Sequence, residues 1–202
     1  LAHVHDPGRL REILYPGNRV VLKSAGAPRR KTAWDVIAGR VGSDWVLVHS
    51  GYHRGLAERI LRDPSISPLG GIAKLEAEVR YGHSRLDFRA VLGDGTVTWV
   101  EVKGCTLTAG GAALFPDAPT VRGRKHLHAL TEARSEGAGA ALLVLVLGPE
   151  ARCFAPNEAT DPAYTAAFRE AVNHGVEVYP LMLSYDRSTV RYHRRLPLCP
   201  AA

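Results

Sequence analysis

The sequence predicts an α/β protein in two parts: a small all-β barrel or sandwich over residues 1–49, and an α/β domain with a mixed sheet flanked by helices over residues 50–202. Three observations carry this. Short β-rich runs separated by Gly, Pro and Ser fill the first part and stop near residue 49. The run Ala140 to Leu147 in "AALLVLVLG" is apolar at every position, as a strand covered on both faces of a parallel sheet must be. A charged hairpin, a helix-period segment and that buried strand follow one another, which makes a right-handed βαβ crossover.

Taken in order, "LAHVHDPG", "NRVVLK", "TAWDVIAGRV" and "DWVLVH" read as strands of the first part. "GLAERILRD" suits a short helix stopped by Pro64, and "SISPLGG" is loop. The hairpin "RLDFRAVLGDGTVTWVEVKG" leads into a Pro- and Gly-rich loop, "TAGGAALFPDAP". A helix from about Thr120 to Glu136 follows, with Val121, Leu127 and Leu130 on one side and Gly137 as its stop. After the buried strand, a helix from about Pro162 to His174 turns Phe168, Ala171 and Val172 inward. "VEVYPLML" and "TVRYHRR" close the chain as strands.

At 202 residues and 46% hydrophobic content the chain can build a proper core. No apolar run approaches the ~20 residues of a membrane-spanning helix, so no membrane partner is expected. The net charge of +6 favours a polyanionic partner, although solubility alone explains a modest excess. Cys105, Cys153 and Cys199 lie far apart without a C-x-x-C pair, which argues against a zinc ribbon and a disulfide scaffold and makes a reducing cytoplasm the default. The chain opens on Leu1 inside a strand-like run with neither an initiator Met nor a signal-peptide apolar region, so it reads as a fragment.

The hairpin holds the chemistry. Leu86, Phe88, Ala90 and Leu92 share one face of its first arm, and Arg85, Asp87 and Arg89 share the other. A two-residue Asp94-Gly95 turn would mix apolar and charged faces across the pair. A three-residue loop, Gly93-Asp94-Gly95 with Gly95 left-handed, instead sets Phe88 opposite Val100, Leu86 opposite Val102 and Asp87 opposite Glu101. Opposed like charges destabilise a sheet by up to about 1 kcal/mol. Compensation would come from Arg85 and Lys103, facing each other at the next pair, or from a divalent cation held by the carboxylates. Lys103 would then orient a water or offset transition-state charge, which is the pattern of metal-assisted phosphodiester hydrolysis. The bland alternative is a half-wet sheet face, and D…E-x-K alone does not decide between them. The helix after the loop adds Arg122, Lys125 and His126 near its anion-favouring start, or simply a solvated face.

"EAEVRYGHSRLDF", "VEVKGCTL" and "LFPDAPTVRGRKHLHAL" resemble, in order and spacing, the signature blocks of the sugar fermentation stimulation protein A (SfsA) family, and "HVHDPGRLREILYPGNRVVL" resembles its amino-terminal block. The resemblance implies an N-terminal OB-like barrel, here N-terminally incomplete, and a PD-(D/E)xK nuclease-type domain. It also implies non-specific DNA binding and a link to sugar (maltose) metabolism. Asp87 matches the metal-type aspartate, Glu101 and Lys103 the E-V-K, and Glu78 the glutamate of E-V-x-Y-G. Arg122, Lys125 and His126 match the block that would face phosphates. Val48-His49-Ser50 and Arg54-Gly55 depart from the family's Val-Asn-Thr and Asn-Arg, the spacing between Gly82 and Arg85 is short, and only Glu58 stands for the glutamate expected on the helix.

The resulting expectation is a DNA-binding protein with a Mg²⁺- or Mn²⁺-dependent nuclease site, with Asp87, Glu101 and Lys103 catalytic and Asp87, Glu101 and Glu78 on the metal. The alternative is a catalytically silent DNA-binding regulator on the same scaffold. Arg122, Lys125, His126 and Arg85 would contact nucleic acid, as would Arg29, Arg30, Lys31 and Trp34 of "APRRKTAW", a basic and aromatic combination suited to a barrel groove, unless this is a basic loop beside a core Trp. DNA is the expected partner, RNA a second, and a homodimer is left open. His3, His5 and Asp6 hint at zinc but lack a third convincing ligand, and Cys105 reads as a packed thiol. No phosphate-binding glycine loop, serine elbow or dinucleotide fingerprint occurs.

Overall fold

In the computed structural model, residues 1–26 and 30–200 are described. The first part contributes strands β1 (Ala2–Val4), β2 (Val20–Ser24), β3 (Trp34–Val41) and β4 (Asp44–Leu47). A 3-10 turn, Ser50–Tyr52, leads into helix α1 (His53–Arg62), which ends at Asp63 because Pro64 holds the preceding residue extended. Then come β5 (Ile72–Tyr81), β6 (Ser84–Leu92), β7 (Val97–Cys105), the short pair β8 (Thr108–Ala109) and β9 (Ala112–Phe115), and helix α2 (Val121–Ser135). The chain finishes with β10 (Gly139–Val146), β11 (Cys153–Pro156), α3 (Pro162–Asn173), β12 (Glu177–Tyr185) and β13 (Val190–Arg195).

Strands of both parts join one mixed sheet in the order β1-β3-β4-β12-β10-β7-β6-β5, with β2 on β3 and β13 on β12. β10 lies at its centre, parallel to β7 on one side and to β12 on the other, and is buried from Ala140 onward. The continuous apolar run is the direct cause, since no face of this strand meets water. β7, α2 and β10 form the expected crossover. The barrel strands meet the rest through a single Trp45–Tyr185 pairing of β4 with β12, yet Leu10, Ile13, Val36 and Val46 share one apolar core with Val100, Leu143 and Leu181.

Helix ends follow local chemistry. Thr120 caps α2, its side chain accepting from Gly123 N at 3.0 Å, and Asp161 caps α3, accepting from Tyr164 N at 2.9 Å. Each cap is worth about 1 kcal/mol. Asp161 also accepts from Thr120 N (2.8 Å) and from the Arg124 guanidinium (3.1 Å), so one carboxylate fixes both helix starts. Gly137 at φ +91 ends α2, a left-handed position that glycine fills without steric cost.

Several expectations are corrected. Val121 is exposed, so the inward side of α2 rests on Leu127 and Leu130 without it. "TAGGAALFPDAP" is not all loop: β8 and β9 pair there and, with β11, make a separate three-stranded sheet. β5 was not expected, because a register shift between Ile72 and Lys74 breaks its alternation. Cys153 and Cys199, 46 residues apart, are joined in a disulfide, against the expectation of none. The fold supplies what the spacing hid: Phe154 pairs with Leu198, and Cys199 N donates to Phe154 O, which sets the two Cα atoms 4.9 Å apart. Cys105 is buried, as a packed thiol should be. No helix among the described residues is long and apolar enough to cross a membrane.

Candidate active site

The hairpin of β6 and β7 forms with the expected loop. Leu92 N donates to Thr96 O at 2.8 Å, Gly95 N to Leu92 O at 3.0 Å, and Gly95 has φ +87. Phe88 faces Val100. Beyond that pair the ladder stops, and this corrects the expected cross-strand pairs of Leu86 with Val102 and Asp87 with Glu101. The Asp87 carboxylate takes the place of a backbone acceptor, receiving Val102 N at 2.7 Å. The Asp87 carboxylate thus sits between β6 and β7, near enough to Glu101 to feel its charge.

Glu101 does not stand on a wet face: it is 2% exposed. Its Oε1 is held by His126 Nδ1 and by the Lys103 ammonium. Its Oε2 is buried with no hydrogen-bond partner among the described residues. Burial alone would raise the Glu101 carboxyl, but His126 and Lys103 outweigh it and hold the group below its ordinary value. Asp87 goes the other way: burial first, then the charge of Glu101, push it from 3.8 to about 6. One carboxylate is therefore secured as an anion, while its neighbour is disfavoured as one.

Helix α2 supplies that support from across the sheet. Arg122 Nε lies 3.4 Å from His126 Nε2, and since a guanidinium only donates, the ring accepts there and donates from Nδ1 to Glu101. His126 is thus a buried linker between Arg122 and Glu101 and cannot present a free ring to phosphates, as the sequence suggested. Lys103 Nζ lies 3.4 Å from His126 Nδ1 and its side chain is 15% exposed. Arg122 and Lys125 are both exposed.

Beside this cluster lies a cavity of about 270 Å³ lined by Asp6, His53, Lys103, Gly104, Asp117 and Arg122. His53 opens α1, and its Nε2 is buried without a partner among the described residues. Burial first, then His49 and Lys103, lower its pKa to about 4. Gly104 makes room for it, since a Cβ there would lie 2.1 Å from His53 Cε1. Sequence reasoning missed His53; the available signal was a helix-start histidine together with a glycine directly after the E-x-K. Glu58, considered for the fourth acid, is paired with Arg62 at 3.0 Å instead.

The other predicted residues fall outside the cluster. Glu78 is aligned with Asp87 across β5 and β6, but it has φ +55 and its carboxylate points to Arg54 (3.7 Å) and Arg85 (3.5 Å), half exposed. In this placement its carboxylate is engaged by two arginines, which also takes Arg85 away from the expected position opposite Lys103. On the barrel, Arg30 is bound to Asp35, its Nη1 reaching Oδ2 at 2.9 Å. Lys31 is exposed, and Trp34 is 45% exposed rather than a core residue. Arg29 lies outside the described residues. Among the described residues, three metal-type ligand atoms come within 4.8 Å of one another at His5, Asp35 and His49.

Comparison with known proteins extends over the whole of this architecture. The family model "Sugar fermentation stimulation protein RE domain" matches residues 51–189, and "SfsA N-terminal OB domain" matches residues 1–48. A sugar fermentation stimulation protein homolog of Methanococcoides burtonii is 44% identical over 98% of this chain and 79% of its own length. That of Methanothermobacter thermautotrophicus is 47% identical over 92% of this chain and 77% of its own. A solved structure of Pyrococcus furiosus SfsA in complex with Ca²⁺ superposes with a TM-score of 0.89 at 26% identity, covering 98% of this chain and 84% of that one. With an OB domain ahead of a sheet flanked by helices, and with both family domains matched in order, the chain belongs to the sugar fermentation stimulation protein (SfsA) family.

Proposed function

We propose that the chain is a divalent-metal-dependent phosphodiesterase acting on nucleic acid, DNA first, with Asp87, Glu101 and Lys103 as its reacting group on a PD-(D/E)xK scaffold. The observation that carries this reading is the buried, unpartnered Glu101 Oε2 on the strand next to Asp87, whose own carboxyl is raised to about 6. A buried carboxylate with an oxygen left unpartnered among the described residues, and a partly buried one disfavoured as an anion, fit an oxygen-seeking cation such as Mg²⁺ or Mn²⁺. The Ca²⁺ bound by the Pyrococcus furiosus relative belongs to the same oxygen-seeking class and supports it.

Asp87 and Glu101 would hold the ion, which when bound supplies charge neutralisation, phosphoryl polarisation and a more acidic water. The chain's own residues do the rest. Lys103 holds its ammonium beside Glu101, placed to offset charge gathering on a phosphate. His126 fixes the Glu101 rotamer and couples it to Arg122, whose guanidinium faces the cavity where a phosphate would enter. Lys125 and the exposed Trp34 extend contact along the strand, through charge and through base stacking.

The test is cleavage of single- and double-stranded DNA and RNA with Mg²⁺, Mn²⁺ or EDTA. Metal-dependent cleavage is expected, lost in Glu101→Ala and Lys103→Ala. Cleavage surviving both substitutions would belong to a contaminant. Binding without cleavage under every condition would leave only a silent, DNA-binding scaffold.

A further inference from the structure

Histidines 3 and 5 looked in sequence like half of a metal site without its other half, and the fold completes it from elsewhere. Asp6 turns away, its Oδ1 taken by Gly8 N at 2.7 Å. His5 Nε2 meets Asp35 Oδ1 at 3.0 Å instead, and a ring nitrogen of His49 joins them, all within 4.8 Å. The three come from β1, from β3 and from the residue just before the 3-10 turn, where Ser50 N donates to His5 O at 3.1 Å. The His5 and His49 rings are stacked with centroids 4.1 Å apart, and His49 Nδ1 is buried with no partner among the described residues.

We propose that His5, Asp35 and His49 form a second metal site, for a zinc-class divalent ion, distinct from the oxygen-only site of Asp87 and Glu101. Ligand atoms about 2.0 Å from one ion, at angles of about 90 to 110°, lie about 2.8 to 3.3 Å apart, and the His5–Asp35 separation of 3.0 Å is already of that size. Two imidazoles and a carboxylate select zinc, cobalt or nickel over magnesium, which prefers oxygen and keeps its waters. Three protein ligands, a buried aspartate and two partly buried histidines, leave a fourth position for water.

Arg30 is the competitor. Its guanidinium takes both Asp35 oxygens, so an ion must share that carboxylate with it, and the site's affinity is set by the contest. This gives a signature that a plain hydrogen-bond network would not show. Titration calorimetry of the chelator-stripped full chain with Zn²⁺ is expected to give one high-affinity equivalent, retained in Glu101→Gln so that the other site is excluded. His5→Gln and His49→Gln each weaken it by more than about 100-fold, beyond the loss of an outer-shell partner. Arg30→Gln tightens it, and Co²⁺ in place of Zn²⁺ gives the visible absorption of an imidazole-bound ion, a readout that stands even if a histidine variant folds poorly. No Zn²⁺ binding, binding unchanged in both histidine variants, or binding weakened by Arg30→Gln would overturn the proposal, whatever the nuclease assay shows.

Discussion

Replacing Asp87 by Asn tests the electrostatics of the site without reference to catalysis. In the metal-free protein the carboxyl is raised from 3.8 to about 6, burial first and Glu101 second. Each pKa unit is worth about 1.4 kcal/mol, so ionised Asp87 costs the apo fold about 3 kcal/mol at pH 8. Between these two values the native state holds a proton that the unfolded chain has released. Stability contributed by this group is therefore full in acid, falls as pH rises from about 4 to about 6, and stays low above that. Asn removes the charge but weakens the bond from Val102 N, a loss of about 1 kcal/mol, leaving a net gain of about 2 kcal/mol. For a chain of this length that is about 4 to 8 °C in Tm. The assay is thermal unfolding of both proteins in EDTA from pH 4 to 8, read as the difference between them. The variant should melt higher at pH 8, the gap should close in acid, and Mg²⁺ or Mn²⁺ at pH 8 should raise wild type alone. A gap independent of pH, or a variant that melts lower at pH 8, would refute the reasoning.

Three further outcomes follow from the same geometry. Gly104→Ala pushes a methyl into His53 and is expected to cost about 1 to 3 kcal/mol in a chemical denaturation curve, and to lower cleavage even where the fold survives. Lys125→Ala, exposed and unpaired in the salt-bridge pattern of the described residues, should leave stability unchanged and flatten the salt dependence of DNA affinity by about one phosphate contact. Cys199→Ser frees a 46-residue loop and should lower stability by about 4 kcal/mol, measured against wild type with and without reductant.

Elements with a single, uninterrupted signal were legible in the sequence. The all-apolar β10, the glycine-stopped α3 and the Gly-Asp-Gly hairpin loop needed no tertiary information to place. The hairpin's register was legible only up to Phe88, because side-chain alternation cannot reveal a carboxylate replacing a backbone acceptor. β5 escaped for a related reason, its alternation broken by a bulge. At the candidate site, Asp87, Glu101 and Lys103 stood out by type and spacing. His126 was noticed for its charge, yet its place is a buried bond to Glu101, which depends on how α2 crosses β7. His53, and the meeting of His5 with Asp35 and His49, join segments too distant for any local pattern to connect.

The core shared by the barrel and the larger sheet bears on how the chain can be divided. A boundary near residue 49 separates two family domains in sequence, but Leu10, Ile13 and Val36 are solvated by Val100, Leu143 and Leu181 rather than by one another alone. Cutting there would strip the barrel fragment of much of its apolar lining, while the larger fragment would keep the second cluster built around Leu86, Leu127, Leu142 and Phe154. Hydrogen exchange should accordingly find the central amides of β3 and β10 opening together, in a single cooperative event.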